Sequence, residues 1–139
     1  CVFINGKINK NIENKILEKN EKIKIFYSKY IPINLNNFVK KNLLAFAGIG
    51  NPENFFSMLE QNNLLVRKKI IFPDHHIFTN REIEKLIHIA EKHKLKIVTT
   101  EKDYLRINSI YRRKFGVIPV KVKIDHEEDF FEFTKKFIK

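Results

Sequence analysis

The residue types best suited to chemistry occur in three short segments, each directly after an apolar run. The segments are Gly48-Ile49-Gly50-Asn51, Pro73-Asp74-His75-His76 and Thr99-Thr100-Glu101-Lys102-Asp103. In parallel α/β sheets, ligands bind beyond the carboxyl ends of the strands. If the apolar runs are strands of such a sheet, these three segments form the candidate site of the chain.

Glycine and asparagine in the first segment suit a close approach of a ligand to the backbone. Gly48 and Gly50 leave room for a substrate, and Asn51 can cap a helix whose N-terminus points at a phosphate. The same residues also fit an ordinary strand-to-helix turn that requires glycine. Spacing alone leaves both interpretations open.

The second segment places two imidazoles and a carboxylate in one loop. Imidazole changes its charge near neutral pH and can orient or accept a proton, so Asp74, His75 and His76 are candidate catalytic residues. A metal site would need further ligands, but His88 and His93 lie five residues apart on a predicted helix, off a shared face. The alternative is a loop whose side chains satisfy local backbone groups.

The third segment offers a cation and two carboxylates. Lys102 is a candidate partner for a phosphate, and Thr100, Glu101 and Asp103 are candidate polar contacts near a nucleotide or substrate. Thr100 and Asp103 are also spaced as a helix cap and its reciprocal partner, which is a structural alternative. The phosphate-binding loop pattern is absent, since Gly6-Lys7-Ile8 lacks the upstream glycine and the hydroxyl.

Alternating strand and helix patterns must position these segments. They predict an α/β fold, with a Rossmann-like, mainly parallel sheet flanked by helices. Strands are predicted at residues 2–4, 23–27, 43–47, 70–72, 95–98 and 117–124, the last at an edge because of Lys121 and Lys123. Helices are predicted around residues 12–17, after Asn51, after a capping box at Thr79 and Glu82, after Thr100, and around Phe130, Phe133 and Phe137. A boundary is predicted near residue 40.

Composition limits the class of protein. The 139 residues carry a net charge of +11, which attracts phosphates, nucleic acid or anionic lipid headgroups, although the lysines are dispersed. No stretch approaches the roughly 20 apolar residues that a spanning helix needs, so the piece is expected to be soluble. The single cysteine, Cys1, cannot form an internal disulfide and is expected to be a reduced cytosolic thiol. Because a strand begins at the first residues, an upstream part of a larger enzyme is expected.

Taken in order, the three segments resemble a known family. Leu44-Ala-Phe-Ala-Gly-Ile-Gly-Asn-Pro-Glu-Asn-Phe-Phe56, Phe72-Pro-Asp-His-His76 and Val98-Thr-Thr-Glu-Lys-Asp103 are similar to the C-terminal half of tetraacyldisaccharide 4'-kinase, the lipid A kinase. The similarity covers most of residues 43–107. The ordered triple is far more specific than any one of its members.

The resemblance implies the C-terminal lobe of a two-lobe, P-loop-type kinase. Residues 1–40 would be the end of the N-terminal lobe and the linker strands, and residues 41–139 the C-terminal α/β lobe. The family transfers the γ-phosphate of ATP, with Mg²⁺, to the 4'-hydroxyl of a tetraacyldisaccharide 1-phosphate at the cytoplasmic face of the inner membrane. Its phosphate loop and acidic residues lie in the N-terminal half, so this piece alone is expected to be inactive. His75 best matches a family histidine that assists an N-lobe carboxylate.

The alternative class is a basic α/β module that binds nucleic acid without catalysis. Such a module needs Lys and Arg on one face, with exposed aromatic side chains between them. Most phenylalanines here lie at core spacings instead. Nucleic acid is therefore not an expected partner; the expected partners are the lipid substrate, the N-terminal lobe and the membrane surface.

Overall fold

A computed structural model describes residues 1–137 as two compact units. The terminal unit comprises Cys1–Ile31 and the residues that follow Pro119, and the central unit comprises Pro32–Pro119. The structural division thus falls after Ile31, before the predicted boundary near residue 40, because the connection at residues 32–41 belongs to the central unit. Ile33 N–H donates to the carbonyl of Pro119 at 2.9 Å, so the two ends of the central unit lie side by side.

Seven strands and five helices make up the described residues. In chain order they are β1 (Val2–Asn5), α1 (Lys10–Lys19), β2 (Ile25–Pro32), β3 (Asn42–Ala47), α2 (Pro52–Gln61), β4 (Leu65–Ile71), α3 (Asn80–Lys92), β5 (Lys96–Thr99), α4 (Glu101–Arg106), β6 (Phe115–Val117), β7 (Val120–Ile124) and α5 (Glu127–Lys135). Short 3₁₀ turns lie at Leu35–Asn37 and Arg112–Lys114. None of these described helices has the length and apolar character needed to cross a membrane.

The central unit contains a parallel four-stranded sheet in the order β4-β3-β5-β6, with helices on both faces. Residues 43–47 of β3 are fully buried, as expected for a parallel strand covered on both sides. Leu43, Ala45 and Ala47 pack in the same cluster as α2, whereas Leu44 and Phe46 pack in the cluster that contains α3. The predicted α/β class, with a mainly parallel sheet flanked by helices, is confirmed.

Local sequence signals set the ends of the two long helices of the central unit. The side chain of Asn51 accepts from Asn54 N–H, and Pro52 occupies the first turn of α2. Thr79 and Glu82 form the predicted capping box at the start of α3. Each cap satisfies backbone N–H groups that a helix leaves without partners.

The terminal unit contains a separate three-stranded sheet in the order β1-β2-β7, in which β1 and β2 are parallel. Phe3, Phe26, Phe130 and Phe133 form its aromatic cluster, with ring centroids 5.1 to 5.7 Å apart. Among the described residues of α1 and α5, no side chain is buried. This unit therefore depends on a small aromatic core.

Several predicted elements differ from the observed ones. The predicted strand at residues 117–124 is two strands in two sheets, because Pro119 lacks a backbone N–H and interrupts the hydrogen-bonding ladder. The predicted edge position of the second part, β7, is confirmed. β4 begins at Leu65 rather than Ile70, and β2 runs from Ile25 to Pro32. Phe137 lies beyond α5 and is exposed.

Candidate functional site

The three candidate segments leave the same edge of the central sheet. β4, β3 and β5 are adjacent and parallel, so their carboxyl ends point in one direction. The chain leaves β3 toward β4 on one side and leaves β5 toward β6 on the other. In open α/β sheets, ligands bind at the carboxyl ends of the strands beside such a reversal.

A fully buried carboxylate, that of Asp103, joins two of these segments. Its Oδ2 accepts from Gly48 N–H at 2.9 Å and from the Thr100 hydroxyl at 2.8 Å. Its Oδ1 accepts from Arg106 Nη1 at 3.2 Å. A charge without exposure to water is costly unless it is paired and hydrogen-bonded, and Asp103 is both. The cap that the spacing of Thr100 and Asp103 predicts is formed, and through Asp103 it also holds the loop after β3.

Arg106 connects all three segments, and it is the site residue that the sequence interpretation missed. Its Nη1 also donates to the carbonyl of Gly48 at 3.1 Å, and its Nη2 lies 3.0 Å from His75 Nδ1. The one local signal for this role is its spacing, three residues after Asp103 on a predicted helix. Its contacts with Gly48 and His75 cannot be predicted from local sequence, because these residues are 58 and 31 positions away.

His75 is held at the exposed rim of the site in a left-handed backbone conformation, with φ of 58°. Its N–H lies 2.9 Å from Asp74 Oδ1 and 3.2 Å from the carbonyl of Gly48. Its side chain is 77% exposed. This conformation is uncommon for non-glycine residues, but five other residues of the described chain adopt it, so the exposed ring and its contact with Arg106 are what single out His75.

His76 points into a different environment. Its ring stacks on Phe72 with centroids 5.0 Å apart, and its Nε2 lies 3.0 Å from Glu82 Oε1. Hydrogen bonds from the backbone and hydroxyl of Thr79, and then from His76, lower the pKa of Glu82 to about 2. His76 therefore links the loop to the start of α3.

Both glycines of the first segment lie close to the Asp74 loop. A Cβ on Gly48 would lie 3.2 Å from the carbonyl oxygen of Pro73 and 3.3 Å from Asp103 Oδ1. A Cβ on Gly50 would lie 3.2 Å from Asp74 Oδ2. A side chain at either position would crowd the Asp74 loop, so glycine at Gly48 and Gly50 allows the close approach of these loops.

The remaining predicted residues lie around this network. Asn51 caps α2 and is exposed, and Glu101 and Lys102 are exposed on the first turn of α4. Over residues 1–137, no group of three or more His, Cys, Asp or Glu side chains is arranged to hold a metal ion. The central unit is thus a parallel α/β unit in which Gly48, Asp74, His75, Asp103 and Arg106 form one polar network at the carboxyl edge.

Comparison with known proteins assigns the family. The model of the tetraacyldisaccharide-1-P 4'-kinase family, LpxK, matches residues 2–139, and the chain belongs to this family. A tetraacyldisaccharide 4'-kinase from Pelagibacter ubique is 35% identical over 141 residues, covering 99% of this chain and 44% of the relative. One from Bartonella tribocorum is 42% identical over 74 residues, covering 53% of this chain and 21% of the relative.

A solved structure is also similar to this chain. The "apo" form of LpxK from Aquifex aeolicus in complex with ATP is 18% identical and aligns with a TM-score of 0.48, covering 88% of this chain and 41% of that one. The chain thus spans less than half the length of these relatives.

Proposed function

We propose that the chain is the C-terminal part of a lipid A kinase, which transfers the γ-phosphate of ATP to the 4'-hydroxyl of a tetraacyldisaccharide 1-phosphate. The observation that carries the proposal is the family match over residues 2–139. It is supported by the geometry, since the three segments that resemble the family meet at one edge of the sheet. In this proposal residues 1–40 complete the N-terminal lobe and its linker strands, and residues 41–139 belong to the C-terminal lobe, with β7 joining the sheet of the linker strands β1 and β2.

His75 is proposed to position a carboxylate supplied by the rest of the enzyme. That carboxylate accepts the proton of the attacking 4'-hydroxyl, and the exposed ring of His75 hydrogen-bonds to it. Asp74 contributes by holding the backbone of His75. His76 supports the loop from its contacts with Phe72 and Glu82, so its contribution to turnover is smaller.

ATP and Mg²⁺ are proposed to bind mainly outside the region described here. The chain has no phosphate-loop pattern, and the described residues contain no cluster suited to a metal ion. Asp103 is fully buried and already holds three donors, so its carboxylate does not fit a Mg²⁺ ligand. No step is assigned to Mg²⁺ in this chain, and the chain alone is expected to be inactive.

The proposed location is the cytoplasmic face of the inner membrane, where the lipid substrate is found. The net charge of +11 favours contact with anionic headgroups. Gly48, Gly50, Asn51 and the exposed residues Glu101 and Lys102 are proposed to lie near the substrate or nucleotide, because they border the same edge of the sheet.

Turnover of the full-length protein that contains this chain tests the proposal. With ATP and a tetraacyldisaccharide 1-phosphate, His75→Ala should lower turnover by roughly 10²-fold while ATP affinity changes little. His76→Ala is the matched control and should be milder, with circular dichroism to confirm folding. Absence of lipid phosphorylation by the unaltered protein would overturn the proposal. Steeply salt-dependent RNA or DNA binding in its place would favour the nucleic-acid module.

A further inference from the structure

Arg106 touches each of the three loops at the carboxyl edge. Nη1 lies 3.1 Å from the carbonyl oxygen of Gly48 and 3.2 Å from Asp103 Oδ1, and Nη2 lies 3.0 Å from His75 Nδ1. Because Asp103 is fully buried and also bound by Gly48 and Thr100, the position of the guanidinium is fixed before any ligand arrives.

The contact between Arg106 and His75 determines where the imidazole proton lies. A guanidinium has donors only and keeps its charge, so the nitrogen facing it must offer a lone pair. His75 Nδ1 is therefore the acceptor, and a neutral ring then carries its hydrogen on Nε2. A doubly protonated ring would place its Nδ1–H against the Nη2–H of Arg106, with no acceptor between them.

We propose that Arg106 is a positioning residue that holds His75 as the Nε2–H tautomer. The Nε2 edge is available for a ligand, since the ring is 77% exposed and Asp74 Oδ2 lies 3.8 Å away, beyond hydrogen-bonding distance. His75 thus donates from Nε2 to an incoming acceptor and does not itself take up the substrate proton. The identity of that acceptor, the carboxylate that takes the proton of the 4'-hydroxyl, rests on the proposed function.

Histidine-labelled ¹⁵N NMR of the full chain at mildly alkaline pH measures the tautomer directly. The His75 signal is assigned by its loss in His75→Gln. The expected native spectrum has an unprotonated Nδ1 and a protonated Nε2, whereas Arg106→Met should give a mixture of the two tautomers. A native spectrum that already shows the same mixture as Arg106→Met overturns the inference.

Arg112 provides a matched control in the same unit. Its guanidinium donates to the carbonyls of Ile107 at 2.9 Å and Leu105 at 2.6 Å and lies over the ring of Tyr104. Like Arg106, Arg112 is partly buried, but it donates to backbone carbonyls and does not contact His75. Arg112→Met therefore removes a comparable arginine and leaves the surroundings of His75 intact. It should leave the His75 tautomer unchanged, and a shift as large as that in Arg106→Met would overturn the assignment to Arg106.

Turnover of the full-length protein separates this inference from the proposed function. Arg106→Met should lower kcat by roughly 10- to 100-fold with little change in the KM for ATP, because the donor is misplaced rather than the nucleotide. Arg106→Lys restores the charge beside Asp103 but not the planar fork, so it should recover the melting temperature more than kcat. A full-length protein without kinase activity overturns the proposed function, and the NMR result still decides the tautomer. An unchanged His75 tautomer in Arg106→Met overturns the inference even if kcat falls.

Discussion

The central and terminal units use different means to hold their sheets. In the central unit, β3 is buried on both faces, and a buried polar network braces the loops at its carboxyl edge. In the terminal unit, the described residues of α1 and α5 bury no side chain, and β7 is largely exposed. The candidate site thus lies on the unit with the more complete core.

The difference between the two units concerns the rigidity of the backbone around the candidate site. A network of hydrogen bonds that includes a buried carboxylate holds its geometry only if the surrounding backbone is rigid. A sheet stabilised by a partly exposed aromatic cluster opens more readily, since local stability follows the density of buried contacts. We therefore expect amides of β3 and β5 to exchange with solvent more slowly than amides of β1 and β7.

The largest expected effect compares two phenylalanines. Phe46 is fully buried and packs edge-on against Phe72, Phe78 and Phe115, so Phe46→Ala should cost about 3–5 kcal/mol of unfolding free energy. Phe26→Ala in the terminal unit should cost less, because its neighbour Phe3 is 44% exposed and the site can relax. Urea unfolding, followed by hydrogen exchange in each unit, measures both. Equal losses would contradict the contrast between the units.

A second comparison uses two carboxylates. Asp103→Ala should cost about 3 kcal/mol, because it leaves the Arg106 charge and the Gly48 N–H without their partner in a buried setting. Glu13→Ala in the terminal unit removes hydrogen bonds from Tyr27 and from Lys10, whose side chain is 77% exposed and keeps contact with water, so the loss should be smaller. Thermal melts of both variants compare the two losses of stability. A comparable fall in Tm would show that burial of the carboxylate does not control the loss of unfolding free energy.

The capping box of α3 gives a pH-dependent test. Thr79→Ala should destabilise the chain by about 1 kcal/mol at neutral pH. Hydrogen bonds from the backbone N–H and the hydroxyl of Thr79, and then from His76, lower the pKa of Glu82 from 4.5 to about 2, so their stabilising effect is present above pH 4.5 and is lost as the pH falls toward 2. Thr79→Ala removes the hydroxyl's bond to this carboxylate and keeps the backbone bond. The deficit of Thr79→Ala should therefore shrink over that range. A deficit that stays constant in acid would mean that the ionised Glu82 is not involved.

The smallest effect concerns the two histidines at positive φ, His75 in the central unit and His126 at the start of α5, with φ of 58° and 54°. At each position the glycine variant should be more stable than the alanine variant by about 0.5 kcal/mol, since the relief of left-handed strain exceeds the entropic cost of glycine. Chemical unfolding of the four variants measures the differences. In the full-length protein, the proposed kinase turnover should fall for both His75 variants and stay near normal for both His126 variants. An equal fall at His126 would contradict the assignment of the site.

Local signals explain which parts of the fold the sequence predicts. The apolar run of β3, the Asn51 cap and the Thr79 capping box each depend on residues within a few positions of one another. Because the sheet is parallel, these signals also predict that the three candidate segments share one edge. The cap formed by Thr100 and Asp103 belongs to the same class of local signal.

Distant pairings explain what the sequence does not predict. β7 joins the sheet of β1 and β2, and nothing near residue 120 indicates that its partners lie at the start of the chain. The role of Arg106 depends on Gly48 and His75, which are 58 and 31 positions away. The bond from Gly48 N–H to Asp103 spans 55 positions, so a residue identified as a cap has a second role that only the fold shows.

The hydrogen bond between Ile33 and Pro119 makes the central unit suited to circular permutation. A short linker can join residues 32 and 119 because the chain enters and leaves there side by side, and adjacent ends are what such rearrangements need. New termini at Asn62 and Asn63 would fall in the exposed turn between α2 and β4, away from the carboxyl edge. The new termini would not interrupt the segments that carry Gly48, His75, Asp103 and Arg106. The polar network could then be studied in the central unit without the terminal unit.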